Sequence, residues 1–212
     1  MTPDIAWTLG TFSAIFFVVD PIAVVPIFLA ITPNDGEAER RSMALRASAI
    51  AMAVLIGFLF GGQALFQVFG VTLPAFKVAG GILLLLTALD QLRSKESETR
   101  TTGEEIAEGR QKDAVANVPL GLPLLAGPGS IATVIVLAGG ADHRWQLGVI
   151  ALAIVVTCGV AWVLLRTASL VNRVLGATGR AVLLRVSGLL LAAVAVQFVI
   201  TGLGEAFPFL TR

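Results

Sequence analysis

The sequence predicts an all-α polytopic membrane protein: six transmembrane helices in two inverted-topology three-helix repeats, with helices 1 and 4 broken near the midplane. Three observations predict it. Hydrophobic residues make up 56% of the 212 residues and charged residues only 14%, against about 25% charged in a typical soluble domain. The charges gather in short intervals and leave apolar runs of roughly 19 to 27 residues, long enough at about 1.5 Å per residue to cross a hydrocarbon core of roughly 30 Å. Prolines stand inside two of those runs, at Pro21 and Pro26 and again at Pro128. A soluble helical domain would need polar faces on its outer helices, and these segments carry almost none.

The first span is read as residues 5–31, ending in the turn chemistry of Thr32-Pro33-Asn34-Asp35-Gly36. A charged stretch from Glu37 to Arg46 leads into the second span, 47–69, where Gly57 and Gly61 form a GxxxG that permits close helix approach. Gly70-Val71-Thr72-Leu73-Pro74 is a tight turn, and the third span follows over 75–92. Residues 93–113 hold 11 of the chain's 29 Asp, Glu, Lys and Arg residues, with both signs mixed. They read as a solvated loop with a short helical turn near Glu104–Glu108. The fourth span, 114–139, is the most irregular, with Pro119, Pro123, Gly127, Pro128 and Gly129. Trp145 is placed as an interface anchor at the start of the fifth span, 145–165. A loop rich in small residues, bounded by Arg166, Arg173, Arg180 and Arg185, precedes the sixth span, 181–203. The domain organisation is therefore a first repeat at 1–92, a hydrophilic cytoplasmic loop at 93–113 and a second repeat at 114–212.

Six spans put the N-terminus, the second and fourth loops and the C-terminus on one side, with Lys77, Arg144 and Arg212. The other twelve Lys and Arg residues lie on the opposite side. The positive-inside rule then predicts a multi-pass protein of the inner or plasma membrane with both termini outside. Met1-Thr2-Pro3-Asp4 lacks a basic n-region and a small-residue cleavage pattern, so the first span is expected to remain in the mature protein.

The halves resemble each other. Pro21-Ile22-Ala23 matches Pro128-Gly129-Ser130 at an offset of 107, Lys77-Val78-Ala79-Gly80 matches Arg185-Val186-Ser187-Gly188 at 108, and Val68-Phe69-Gly70 matches Val174-Leu175-Gly176 two positions out of that register. Three spans is an odd number, so the second copy enters the membrane from the opposite side. Inverted repeats with discontinuous helices in corresponding positions are a pattern of secondary transporters, whose sites lie near the midplane where those helices break.

The breaks suggest the chemistry. Pro21 and Pro26 lack the N–H groups that would pair with the carbonyls of Phe17 and Ile22, and such backbone survives in a bilayer only inside protein or along a polar cavity. Half-helices starting near Ile22 and Ser130 present N–H groups at their positive ends, which suit a carboxylate. The opposite half-helix ends offer carbonyls, which suit an ammonium group. A zwitterionic amino acid fits both. The candidate substrate-binding residues are Asp20, Pro21, Ile22, Ala23, Pro26, Gly127, Pro128, Gly129, Ser130 and Thr133. Ser130 and Thr133 supply hydroxyls, and the glycines allow close approach of a small ligand. Asp20 has two readings: it binds the substrate ammonium or carries a coupling proton, or it caps the following half-helix. Asp90 and Glu205 read as solvated or interfacial, Gln197 as a helix-to-helix hydrogen bond, and Gly80, Gly81 and Gly188 as close-packing positions.

Other classes fare worse. Catalysis would have only the loop residue His143, the solitary Cys158 and no paired acids in one span, so no enzyme is expected. The single cysteine excludes an internal disulfide and leaves no metal set, and no cofactor is implied. A net charge of +1 with basic residues at span boundaries implies no nucleic-acid partner. An exporter of drugs or other solutes would want a larger aromatic cavity than these residues provide.

Four stretches, DPIAVVPIFLAIT at 20–32, GVTLPAFKVAGG at 70–81, VPLGLPLLAGPGSIATVI at 118–135 and VQFVITGL at 196–203, resemble the signature blocks of the MarC family, in the same order and over nearly the whole chain. The resemblance implies a multi-pass membrane protein. Through family members of the SnatA type, it also implies proton-coupled transport of small neutral amino acids, glycine and alanine among them. The expected partners are then a small neutral amino acid, a proton and the lipid bilayer, with a homo-oligomer compatible with the sequence.

Overall fold

The computed structural model describes residues 3–33, 35–93 and 125–207, and these are helical throughout apart from short connections. The helices are α1 (Pro3–Val19), α2 (Pro21–Ile31), α3 (Glu37–Phe69), α4 (Leu73–Leu92), α5 (Pro128–Gly139), α6 (Arg144–Arg166) and α7 (Ala168–Ala206). Five stretches among the described residues are long and apolar enough to cross a membrane: 4–31, which takes in α1 and α2, then 37–64, α4, α6 and 181–206. Of the predicted fourth span only 125–139 is described. Its helix α5 has 12 residues, about 18 Å at 1.5 Å per residue, which is half a hydrocarbon core. The charged loop at 93–113, with its expected turn near Glu104–Glu108, lies almost wholly outside the described residues, as do Pro119 and Pro123.

Two boundaries differ from expectation. Residues 37–46 form the first turns of α3 rather than a lead-in, with Glu37 and Glu39 in the first turn, where negative charge complements the helix dipole. The small-residue stretch after Arg166 is helical from Ala168 and turns only at Gly176, whose φ of 59° and ψ of −174° interrupt α7. Glycine alone adopts that backbone without strain.

Burial runs inward to the first span. Its most apolar 18-residue window is 61% buried, against 33% or less for the other four. Outward-facing apolar side chains such as Ile82, Leu86, Leu152, Val155, Leu189 and Ile200 cover the rest of the surface, as a lipid-facing bundle requires. The main core gathers Ile15, Val19, Val24 and Phe28 of the first span with Leu55 of α3 and Ile150 and Ile154 of α6.

The helix ends sort into two groups. At one end Trp7 meets Trp145 edge to face at 5.6 Å, Gln63 Nε2 donates to the Ala138 carbonyl, and Lys77 pairs with Glu205 at 2.5 Å. At the other end Arg40 donates to the carbonyls of Thr32 and Pro33, which close α2, and to Ser169 Oγ at the start of α7. A guanidinium at a helix C-terminus satisfies carbonyls that have no helical partner.

The most extensive helix pairing is α4 against α7. A Cβ on Gly81 would stand 2.7 Å from the Ala195 carbonyl and 2.8 Å from Val199, while one on Gly188 would stand 3.1 Å from the Ala88 carbonyl and 3.2 Å from Leu92. A larger residue at Gly81 would clash with backbone, and Gly188 has little more room, so these are close-packing positions. Gly202 against Pro74 and Val78 completes an antiparallel register. Gly80 differs, since it faces Ala132 of α5. The offset of 107 recurs here: Gly81 with Gly188, Ala88 with Ala195, Leu92 with Val199. It also separates the first residues of α2 and α5, Pro21 and Pro128, and of α3 and α6, Glu37 and Arg144. The two glycines with positive φ among the described residues, Gly70 and Gly176, are 106 apart.

Candidate functional site

The α1–α2 junction is built around Asp20. Its N–H still donates to the Phe16 carbonyl at 2.9 Å, as the last rung of the α1 ladder. The backbone then turns left-handed at φ 48° and ψ 68°, making Asp20 the only non-glycine with positive φ among the described residues. Aspartate tolerates that region better than most residues, and the following proline disfavours the ordinary helical region for it. Pro21 then opens α2 at a position that needs no N–H. Pro26 lies inside α2, and the helix runs through it to Ile31.

The Asp20 side chain is 3% exposed. Oδ1 accepts from the Ala23 N–H at 3.2 Å, capping α2. Oδ2 accepts from Gln91 Nε2 at 2.6 Å. The capping reading of Asp20 is therefore met, and the same carboxylate also ties α2 to α4. Gln91 did not stand out in the sequence. Its signal is periodicity: Gly80, Leu84, Thr87, Ala88 and Gln91 are all buried on α4, at i, i+4, i+7, i+8 and i+11, which is one helical face.

Helix α5 begins differently. Gly127, buried and extended at φ −67° and ψ 169°, is its N-cap and offers no side-chain hydrogen bond. Ser130 Oγ donates within 3.0 Å of the carbonyls of Leu125 and Gly127, and Thr133 Oγ1 donates to the Gly129 carbonyl at 2.9 Å. Both hydroxyl protons are thus turned onto the helix's own backbone, which leaves these side chains to a ligand as acceptors. Pro128 is exposed and Gly129 half-buried.

The two helix starts are neighbours. A Cβ on Gly129 would lie 2.8 Å from Leu84 Cδ2 and 3.8 Å from Val18, two residues before Asp20. Val18, Leu84 and Ala88 share a small cluster with Leu191 and Ala195 of α7. The structure thus brings Asp20, Gln91 and Gly129 around one stretch of α4. Glu205 is held by Lys77 at a bundle end. Gln197 is exposed and donates to Thr201 one turn along α7, within its own helix rather than to another.

The family model for MarC family integral membrane proteins matches residues 6–207. The chain belongs to the MarC family. Similar relatives include a UPF0056 membrane protein of Aquifex aeolicus, 39% identical over 91% of this chain and 90% of its own length. The UPF0056 membrane protein MJ1677 of Methanocaldococcus jannaschii is 36% identical over 96% and 98%. The UPF0056 membrane protein YhcE of Escherichia coli is 35% identical over 93% and 92%. No solved structure matches the chain. The MarC family is one of integral membrane proteins, and this member carries several apolar helices of membrane-spanning length.

Proposed function

We propose that this MarC family member is a secondary transporter of small neutral amino acids of the glycine and alanine class, coupled to protons and working by alternating access. Its site lies near the midplane, where the first and fourth spans break. One observation carries the reading: two short helices, α2 and α5, begin beside each other in the interior and run to opposite ends of the bundle. Their lengths of 11 and 12 residues correspond to about 16 and 18 Å, each near half a bilayer. The recurrence of the 107-residue offset in helix starts and glycine contacts supports two repeats of opposite topology, the framework in which such sites occur.

The junctions divide the work on a zwitterion. The α5 N-terminus has no side-chain cap, so its first N–H groups suit the substrate carboxylate. The Asp20 carboxylate, on the α2 side, suits the ammonium group or the coupling proton. Gly129 keeps the α5 start tight against α4, since an added Cβ would lie 2.8 Å from Leu84, and such a narrow place suits a small ligand. The basic ends of α3, α4 and α6 support a cytoplasmic placement of that side, with both termini outside.

Purified full-length protein in liposomes tests the reading. Labelled glycine or alanine is expected to accumulate when an inward proton gradient is imposed and merely to equilibrate without one. Absence of saturable uptake of either amino acid would sink it.

A further inference from the structure

Between its last two spans the chain keeps apolar side chains exposed outside any stretch of membrane-spanning length. Those stretches end at Arg166 and resume at Ala181. Thr167, at φ −106° and ψ 20°, ends α6, and Gly176 interrupts α7. The short helical segment between them, 168–175, has two faces. Ala168 is buried in the main core and Val171 packs against it. Leu170 and Val174 are turned outward, 60% and 76% exposed, with exposed Arg173 beside them. Positions 170, 173 and 174 lie on one helical face. Arg166 adds a second exposed cation, its guanidinium 5.5 Å from the centre of the Trp162 ring. Among the described residues neither arginine pairs with a carboxylate.

We infer that Leu170, Arg173 and Val174, together with Arg166, form a binding site for an anionic phospholipid at the membrane interface. The chemistry selects the occupant. Apolar side chains on such a segment meet acyl chains, while an arginine stem lies along them and lifts its charge to headgroup level. The planar guanidinium matches a phosphate in a two-pronged contact, and a net negative headgroup adds attraction that a zwitterionic one lacks. The patch also continues the lipid-facing surface on either side, through exposed Val163 of α6 and exposed Val182 and Val186 of α7. The matching end of the first repeat supplies a contrast. Val68, which corresponds to Val174, is 77% exposed and is followed by exposed Phe69. No Lys or Arg occurs between Arg46 and Lys77. Both ends can meet acyl chains; only the second offers cations to a headgroup.

The test is native mass spectrometry of purified full-length protein in nonionic detergent, titrated with phosphatidylglycerol or with phosphatidylcholine of the same chains. The unaltered protein is expected to retain phosphatidylglycerol better, by about fivefold for each arginine at the charged surface. Arg166→Gln with Arg173→Gln is expected to abolish that preference and, both residues being exposed, to leave the melting temperature unchanged. Arg173→Lys should keep most of it. Arg144→Gln removes the same charge as Arg173→Gln at the opposite end of α6 and should leave the preference intact. Leu170→Ser with Val174→Ser should weaken both lipids alike. Equal loss in Arg144→Gln and Arg173→Gln would reduce the preference to diffuse charge and overturn the inference, as would its absence from the unaltered protein. Displacement of phosphatidylglycerol by millimolar inorganic phosphate, with no effect of the serine pair, would make this a free-phosphate site instead. Loss of a dimer in the serine pair, with lipid retention intact, would assign the face to a second copy of the chain. None of these readouts depends on amino-acid transport.

Discussion

The two helix junctions occupy corresponding places in the sequence and are finished in opposite ways. At Asp20 the chain carries its own anion, which caps α2 through Ala23 and is held by Gln91. At Gly127 the N-cap residue itself offers no side-chain hydrogen bond, and the nearby hydroxyls of Ser130 and Thr133 donate to backbone carbonyls. Both helices start with the same electrostatic need, a negative partner for their first N–H groups. One has it built in; the other has no cap from its own N-cap side chain. A pair of symmetric helix starts would favour an anion at both. This asymmetric pair favours a molecule with one negative and one positive end.

The largest expected effect breaks the proximity of the junctions. Gly129→Leu should reduce uptake more than tenfold and lower the melting temperature in detergent, because its Cβ would press Leu84 at 2.8 Å and overpacking costs about 1–3 kcal/mol. The clash is with the end of a flexible side chain, so adding Leu84→Ala should recover much of the melting temperature. Failure of that rescue would place the contact elsewhere.

Next comes the built-in anion. Asp20→Ala loses the cap, at about 0.5–2 kcal/mol, and strands Gln91 Nε2, so thermal melting should fall clearly. Asp20→Asn keeps a capping oxygen and tolerates the left-handed backbone, so melting should fall less. In liposomes this variant should lose proton-driven accumulation more than amino-acid exchange, which need not move a proton. Equal loss of both would reduce Asp20 to a cap.

A third substitution makes the junctions alike. Gly127→Asp introduces a capping carboxylate at an extended backbone that aspartate adopts readily, and capping typically contributes about 1 kcal/mol. Uptake should fall while the melting temperature holds or rises. Unchanged uptake would remove the substrate carboxylate from the α5 start. The smallest effect is expected at the bundle end, away from both junctions. Lys77→Gln should change stability by less than about 1 kcal/mol, since a partly exposed ion pair contributes little, and should leave amino-acid affinity unchanged. Orientation is checked separately: reporter fusions should place Ser97 in the cytoplasm and the C-terminus outside.

Several features were legible because they depend on chemistry local to the chain. Proline lacks an N–H wherever it stands, so the starts of α2 and α5, expected near Ile22 and Ser130, fall within two residues of that reading, at Pro21 and Pro128. Apolar runs located α4 and α6 equally well. The helical stretch after Arg166 was read as a loop because small residues and scattered arginines mimic turn chemistry, whereas the chain there is helical from Ala168. Gly129 was legible as a point of close approach to the backbone; that Leu84 is the side chain an added Cβ would meet there came only from the fold.

The sequence by itself determined the membrane class, the family and the starts of α2 and α5, since each follows from composition, from the signature stretches or from a proline's missing donor; it left Asp20 between a cap and a coupling group. Which side chain meets that cap was decided by tertiary structure alone. Gln91 lies 71 positions from Asp20, and nothing local distinguishes it from Gln197, which faces outward. The difference is one of register: close packing at Gly81, Gly188 and Gly202 fixes how α4 sits against α7. That rotation turns the face of Gly80, Leu84 and Gln91 toward the two junctions.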